Sequence, residues 1–285
     1  MKDSRWDQRI NRARELQSAY PFASEGLRFY ECVARSQKSV YSDLEFHFGE
    51  ARKQYSPGHL RRELDLFVLL PHFSPFLSVI QRIAPAPLAQ AAAGLAGQGP
   101  AGWQNALEDF WHGELELVAP VGDAEQAQKA DSHDLISFDR LLAWIFLQPY
   151  AEYRAGHREI ETVDRTPSTC PLCGAKPIVG VLRREGDGAK KSLICMLCAH
   201  EWAFRRIYCP ACGEEREPQM AFYSAPQIAH VRADVCDTCH TYLKCIDLTK
   251  TGLAIPVVDE LATIPLDLWA REHGYEKLQM NLLGT

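Results

Sequence analysis

Nine of the ten cysteines in this 285-residue chain lie between Cys170 and Cys245, and eight of those nine form four Cys-x-x-Cys knuckles. The knuckles are Cys170 with Cys173, Cys195 with Cys198, Cys209 with Cys212, and Cys236 with Cys239. Thiolate sulfur is a soft donor, and two intervening residues let both sulfurs of a knuckle face one point about 2.3 Å away, as tetrahedral metal binding requires. In the first and third knuckles a proline follows the first cysteine and a glycine follows the second. Proline fixes φ for the tight turn, and glycine accepts the positive φ that closes it.

One knuckle supplies two ligands, so a second must return to complete the site. The gaps of 21 residues between Cys173 and Cys195 and 23 between Cys212 and Cys236 suit a two-stranded ribbon. Sequential pairing follows: Cys170, Cys173, Cys195 and Cys198 in one site, and Cys209, Cys212, Cys236 and Cys239 in the other. The knuckles recur at offsets of 39 and 41 residues, which points to an internal duplication. Short-range disulfides would constrain the unfolded chain little, whereas a structural metal contributes roughly 10 kcal/mol or more. A thioredoxin-like dithiol needs a knuckle at a helix N-terminus after a strand; these come in matched pairs instead. An all-sulfur tetrahedron suits both iron and zinc, and the spacing does not separate them.

The elements that must carry these sites fall into two patterns. In the first half, apolar residues recur at three and four, as in Trp6, Ile10, Ala13, Leu16 and Tyr20, then Leu27, Tyr30, Ala34, Tyr41, Leu44 and Phe48. Further helices are expected over His59 to Leu70, Trp103 to Leu117 and Asp134 to Tyr153, the last with Ser132 as N-cap. The small-residue stretch Pro85 to Gly102 reads as a loop, and the polar segment Gly156 to Thr169 as a linker. Beyond Cys170 the pattern changes to short β-branched runs separated by turns, such as Pro177 to Leu182, Gly186 to Gly188 and Ser192 to Cys195. Third strands are expected at Glu201 to Ile207 and Thr241 to Leu248. The expected fold class is α+β: an N-terminal all-α domain over 1–160, metal ribbons over 166–207 and 208–250, and a C-terminal helical extension over 251–285.

Composition narrows the partners. The formal net charge is −6, and two sites of four thiolates with one divalent cation each would take it to −10. From Thr166 to Thr285 there are 13 Lys and Arg against 14 Asp and Glu, so no nucleic-acid partner is expected. The opening residues alternate charge and show no continuous apolar stretch, so no export signal is expected. Pro71 and Pro75 interrupt one apolar segment, and Asp139 and Arg140 the other, which argues against membrane insertion. Cysteines used as ligands fit a reducing, cytoplasmic setting.

Other features read as structural. Gly97 to Gly102 matches a dinucleotide fingerprint as a string, but no strand precedes it and Pro100 sits inside. His200 and His240 follow knuckles that already have four cysteines per site, and are expected to be exposed. Cys32 and Cys245 read as buried structural thiols, and Trp111 with His112 and Trp144 with Phe146 as core positions. No nucleophile elbow, phosphate loop, zinc-protease motif or carboxylate pair stands out, so the chain does not read as an enzyme.

The segments CPLCG, LICMLCAHEWAFRRIYCPACG, ADVCDTCHTYLK and VVDELATIPLDLWAREHGY resemble the formate dehydrogenase accessory protein (FdhE) family, as does AYPFASEGLRFYECVARSQ near the start. The resemblance covers most of the chain and is densest from Cys170 to Tyr275, with Trp202, Arg206 and Tyr242 to Lys244 as its specific parts. It implies a cytoplasmic maturation factor that binds the catalytic subunit of respiratory formate dehydrogenase before export by the twin-arginine route. It also implies two rubredoxin-like metal ions, iron favoured and zinc allowed, held by the eight cysteines. A redox or electron-transfer module acting on that enzyme is the alternative.

Overall fold

A computed structural model describes residues 4–49, 60–115, 138–158 and 167–284. The expected N-cap Ser132, most of the linker before Cys170, and the ends of three expected helices lie outside the described residues. Contacts divide the chain into two units, residues 1–31 with 160–283, and residues 32–159. The division falls within the second helix, so the first helix groups with the cysteine-bearing part and not with the helices of residues 60–158.

The helices start and stop where local chemistry directs. Helix α1 spans Arg5–Ala19, and its N-cap Ser4 accepts from the Asp7 amide. Helix α2 spans Ser24–Phe48 and helix α3 spans Leu66–Ile83, capped by Asp65, which accepts from the Val68 amide. Helix α3 thus begins later than the sequence suggests and continues through Pro71 and Pro75. The stretch from Pro85 to Gly102, expected as a loop, is instead mostly helical: α4 spans Ala86–Gly97 and α5 spans Gly99–His112. Alanine is the best helix former, and Pro87 and Pro100 sit in the first turns, where a missing N–H costs nothing. Gly99, at φ +70°, makes the break between them. Helix α6 spans Phe138–Gly156.

In the helical unit, Phe146 of α6 meets Phe73 and Phe76 of α3 at ring distances of 4.7 and 5.3 Å, and Trp111 meets Tyr150 at 5.5 Å. Trp111, Trp144 and Phe146 are core residues, as their spacing suggests, while His112 is exposed. Gln37 donates to the Ile145 carbonyl at 2.7 Å, satisfying a buried amide. Helix α3 is long and apolar enough to pass a length and composition test for a membrane span, a test that core helices also pass. Val68, Leu69, Phe73, Phe76, Leu77 and Ile80 are buried within this unit.

The other unit is built on strands β1 (Pro177–Glu185), β2 (Gly188–Cys195), β3 (Glu201–Phe204), β4 (Met220–Ser224), β5 (Val231–Cys236) and β6 (Thr241–Asp247). Two short helices follow, α7 (Pro256–Ala262) and α8 (Ile264–Glu272), and then β7 (Glu276–Lys277). The β1–β2 hairpin turns at Gly186, φ +56°, which suits the first central position of a two-residue hairpin turn. The two ribbons do not stand apart. Their strands join one sheet in the order β3-β2-β1-β6-β5-β4, with β1 and β6 parallel through Gly180 and Cys245. Helix α1 packs on α7, and Arg12 clamps the buried Asp259 carboxylate at 3.0 and 2.6 Å.

One feature of the join explains a glycine. Lys191 of β2 is almost wholly buried and reaches Asp234 of β5 at 2.7 Å, although β1 and β6 lie between the two strands. A Cβ at Gly180 would lie 3.2 Å from Cys245 Sγ and 3.6 Å from Lys191 Cε. Glycine therefore spares a tight contact with Cys245 on the neighbouring strand, while the lysine chain passes at ordinary contact distance.

Candidate metal centres

The hairpins bring the knuckles together in the expected sequential pairs. The sulfurs of Cys170, Cys173, Cys195 and Cys198 all lie within 4.8 Å of one another, and so do those of Cys209, Cys212, Cys236 and Cys239. Within the first group, Cys170 and Cys173 each stand 3.6 Å from Cys198, and Cys173 stands 3.3 Å from Cys195. In the second, Cys209 to Cys239 and Cys212 to Cys236 are both 3.7 Å. Four sulfurs around a metal at about 2.3 Å have tetrahedral edges of about 3.8 Å, while a disulfide requires about 2.05 Å. The separations therefore fit ligands sharing a cation and exclude bonded pairs.

The knuckles repeat at the level of the backbone. Cys170 donates to Ala175 O and Gly174 to Cys170 O, both at 2.8 Å; Cys209 donates to Glu214 O at 2.8 Å and Gly213 to Cys209 O at 3.0 Å. Gly174 and Gly213 close these turns at φ +73° and +78°. The other two knuckles end in the same way without glycine, on Ala199 at +49° and His240 at +54°. A side chain in this region costs about 1–2 kcal/mol, so the turn is held by what surrounds it. In the second knuckle the amides of Leu197 and Cys198 point at Cys195 Sγ, at 3.3 and 3.4 Å. Such N–H groups stabilise a thiolate.

Burial resists collecting thiolates here without a cation. Burial pushes the Cys195 thiol well up, and Cys198 is raised by hydrogen bonding to Cys170 and Cys173 as well as by burial. Cys170 is pushed down, as hydrogen bonds from Cys173, Cys195 and Cys198 gather on it. In the second group burial raises Cys209. At Cys239 burial also pushes upward, but hydrogen bonds involving Thr241 and Cys212 prevail and bring the thiol down to about 7. A divalent cation would supply the missing positive charge, so the donor set fits a soft metal with four sulfur ligands.

The flanking residues fall mostly where expected. Cys245 is fully buried, and burial pushes its thiol up to about 12, the behaviour of a structural cysteine. Cys32 differs from expectation in being only half-buried. His240 is exposed, whereas His200 is half-buried and stacked on Trp202, and burial lowers its pKa. Sequence reasoning missed the charged cluster behind the second ribbon, where Lys244 and Lys277 meet Glu260 and Asp267. The Tyr242 to Lys244 run within an apolar strand was its only signal.

Fold and sites together define an α+β protein in which two four-cysteine ribbons share one sheet and the other unit is built of helices among its described residues. Residues 169–206 match the FdhE central domain and residues 207–283 the FdhE C-terminal domain. A protein FdhE homolog of Aquifex aeolicus is 24% identical over 299 residues, covering 96% of this chain and 94% of that one. A homolog from Pseudomonas aeruginosa is 36% identical over 131 residues, 44% of this chain and 41% of the other. The crystal structure of the FdhE protein from Pseudomonas aeruginosa shares the fold, with a TM-score of 0.63 at 24% identity over 99% of this chain and 97% of that one. The cysteine-bearing residues 169–283 thus match FdhE family domains, and the similarity to FdhE homologs extends along the rest of the chain.

Proposed function

We propose that this protein is a cytoplasmic accessory factor that binds the catalytic subunit of respiratory formate dehydrogenase before export, and that it catalyses no reaction itself. The observation that carries the reading is the pair of four-cysteine groups, set in the two segments that match FdhE domains. Cys170, Cys173, Cys195 and Cys198 would hold one ion and Cys209, Cys212, Cys236 and Cys239 the other. Bound there, each ion would tie two knuckles into one rigid unit, and iron would add the capacity to change valence. Residues 166–207 and 208–250 then act as the two metal ribbons. The helices of 1–160 and the extension 251–285 provide the frame for a protein partner.

The test is co-purification of the full chain with the large formate dehydrogenase subunit, both apo and cofactor-loaded. A complex with either form is expected; binding to neither rejects the reading. A redox module is the second reading, favoured by the all-sulfur donor sets and by the exposure of Cys212. A visible Fe(III)-thiolate band that bleaches on reduction supports it, and a colourless zinc protein rejects it.

A further inference from the structure

The two groups of cysteines share a backbone plan but not an environment. In the first, all four cysteines are buried. Three of the residues held between its ligands, Leu172, Met196 and Leu197, are buried too. Trp202, four residues beyond Cys198, is buried and donates from Nε1 to the Pro167 carbonyl at 2.9 Å. In the second, Cys212 is exposed and Cys239 half-exposed, although Cys209 and Cys236 are buried. The intervening residues there include Ala211, Asp237 and Thr238, all exposed. Thr238 donates to Glu214 at 2.7 Å and Tyr275 donates to Asp237 at 2.6 Å, so the polar side chains are engaged along the rim and do not cover the sulfurs.

We infer that the second centre is the reactive one: chelating donors and thiol-directed electrophiles reach it through Cys212, while the first centre stays closed until its ribbon opens. The physical ground is access. A thiolate's reactivity depends on exposure as well as charge. A fully buried site reacts only through local unfolding, which an exposed one does not need. Apolar residues between the first pair of knuckles fold inward and exclude solvent; alanine, aspartate and threonine in the second pair do not. The same backbone turn thus builds one closed site and one open site.

The inference rests on the metal-centre reading, and the experiment separates the two. Full-length Cys32→Ser protein, free of the one half-buried thiol outside the groups, is loaded with zinc, and elemental analysis establishes whether two zinc ions are bound per chain. That count decides the metal reading alone. The protein is then treated with limiting iodoacetamide, in which a cysteine sulfur forms the S–C bond and iodide leaves, and sampled by peptide mapping and zinc release. Cys212 is expected to be labelled first, with release of one zinc per chain. Cys170, Cys173, Cys195 and Cys198 should follow at least about tenfold more slowly. The labelling order is read whether or not zinc is present. Equal rates for the two groups, or earlier labelling of the first, overturn the inference. In the Asp237→Met, Thr238→Leu variant, Cys212 labelling should slow several-fold; an unchanged rate overturns the role given to the intervening residues.

Discussion

Replacing Lys244 by methionine tests the charged cluster that backs the second ribbon. Lys244 is fully buried on β6, with Nζ 2.6 Å from Asp267 and 3.0 Å from the Glu260 carboxylate. Lys277 meets the same two acids, Tyr242 donates to Asp267 at 2.8 Å, and Asn281 donates to Glu260 at 3.0 and 2.9 Å. Two ammonium groups therefore balance two carboxylates. Burial pulls the Lys244 pKa down, but Glu260 and Asp267 prevail and raise it; Asp267 is held below the usual range by Lys244 and Lys277 against its own burial. Methionine keeps most of the side-chain volume, so the packing loss stays under about 1.5 kcal/mol. The uncompensated buried charge is the larger effect, at about 3–5 kcal/mol, against a typical domain stability of about 5–15 kcal/mol. Urea unfolding followed by circular dichroism at fixed zinc should show this loss. Combining Lys244→Met with Asp267→Leu, which leaves Lys277 facing Glu260, should be less damaging than the sum of the single variants by about 1–3 kcal/mol. A Lys244→Met cost below about 1 kcal/mol, as for a surface pair, would refute the reasoning.

Three further outcomes are expected. Cys170→Ser with Cys173→Ser should lower the metal content by one ion per chain and unfold the β1–β2 ribbon while leaving most of the helical signal, as read by elemental analysis and circular dichroism. Ala199→Gly should stabilise the chain by about 0.5–1 kcal/mol in the same urea assay, because glycine removes the cost of a side chain at φ +49° and gives back only part of it in unfolded-state entropy. Asp259 resists the upward push of burial because His230 and Arg12 hold it below the usual carboxylate range. The unfolded chain then binds the extra proton first, so this stabilisation is present above about pH 4 and is lost as pH falls below it. Asp259→Asn should flatten the acid limb of stability measured on metal-free protein.

Residues 85–102 carry loop signals by residue type and nevertheless fold as helices. Pro87 and Pro100 open helices, Gly97 closes α4, and the alanines between have high helix propensity. Position within the helix, not residue type alone, decides whether such residues break it. The difference between the two centres was also present in the residues between the cysteines, leucine and methionine in one group against aspartate and threonine in the other. It became visible only once burial showed which way those residues faced.

What the sequence determined by itself is everything that depends on short spacing: four knuckles, their sequential pairing, the hairpins that close them, and the change from a helical period to strands near Cys170. Two residues between cysteines, or three to four between apolar positions, act over distances that the backbone alone sets. The tertiary structure decided what depends on meetings between distant segments. Examples are the parallel join of β1 to β6, the grip of Arg12 on Asp259 across 247 positions, and the burial of Lys244 among acids from α7 and α8. Each is a pairing among many that charge and hydrophobicity would equally allow, and only the packing of the whole unit selects one.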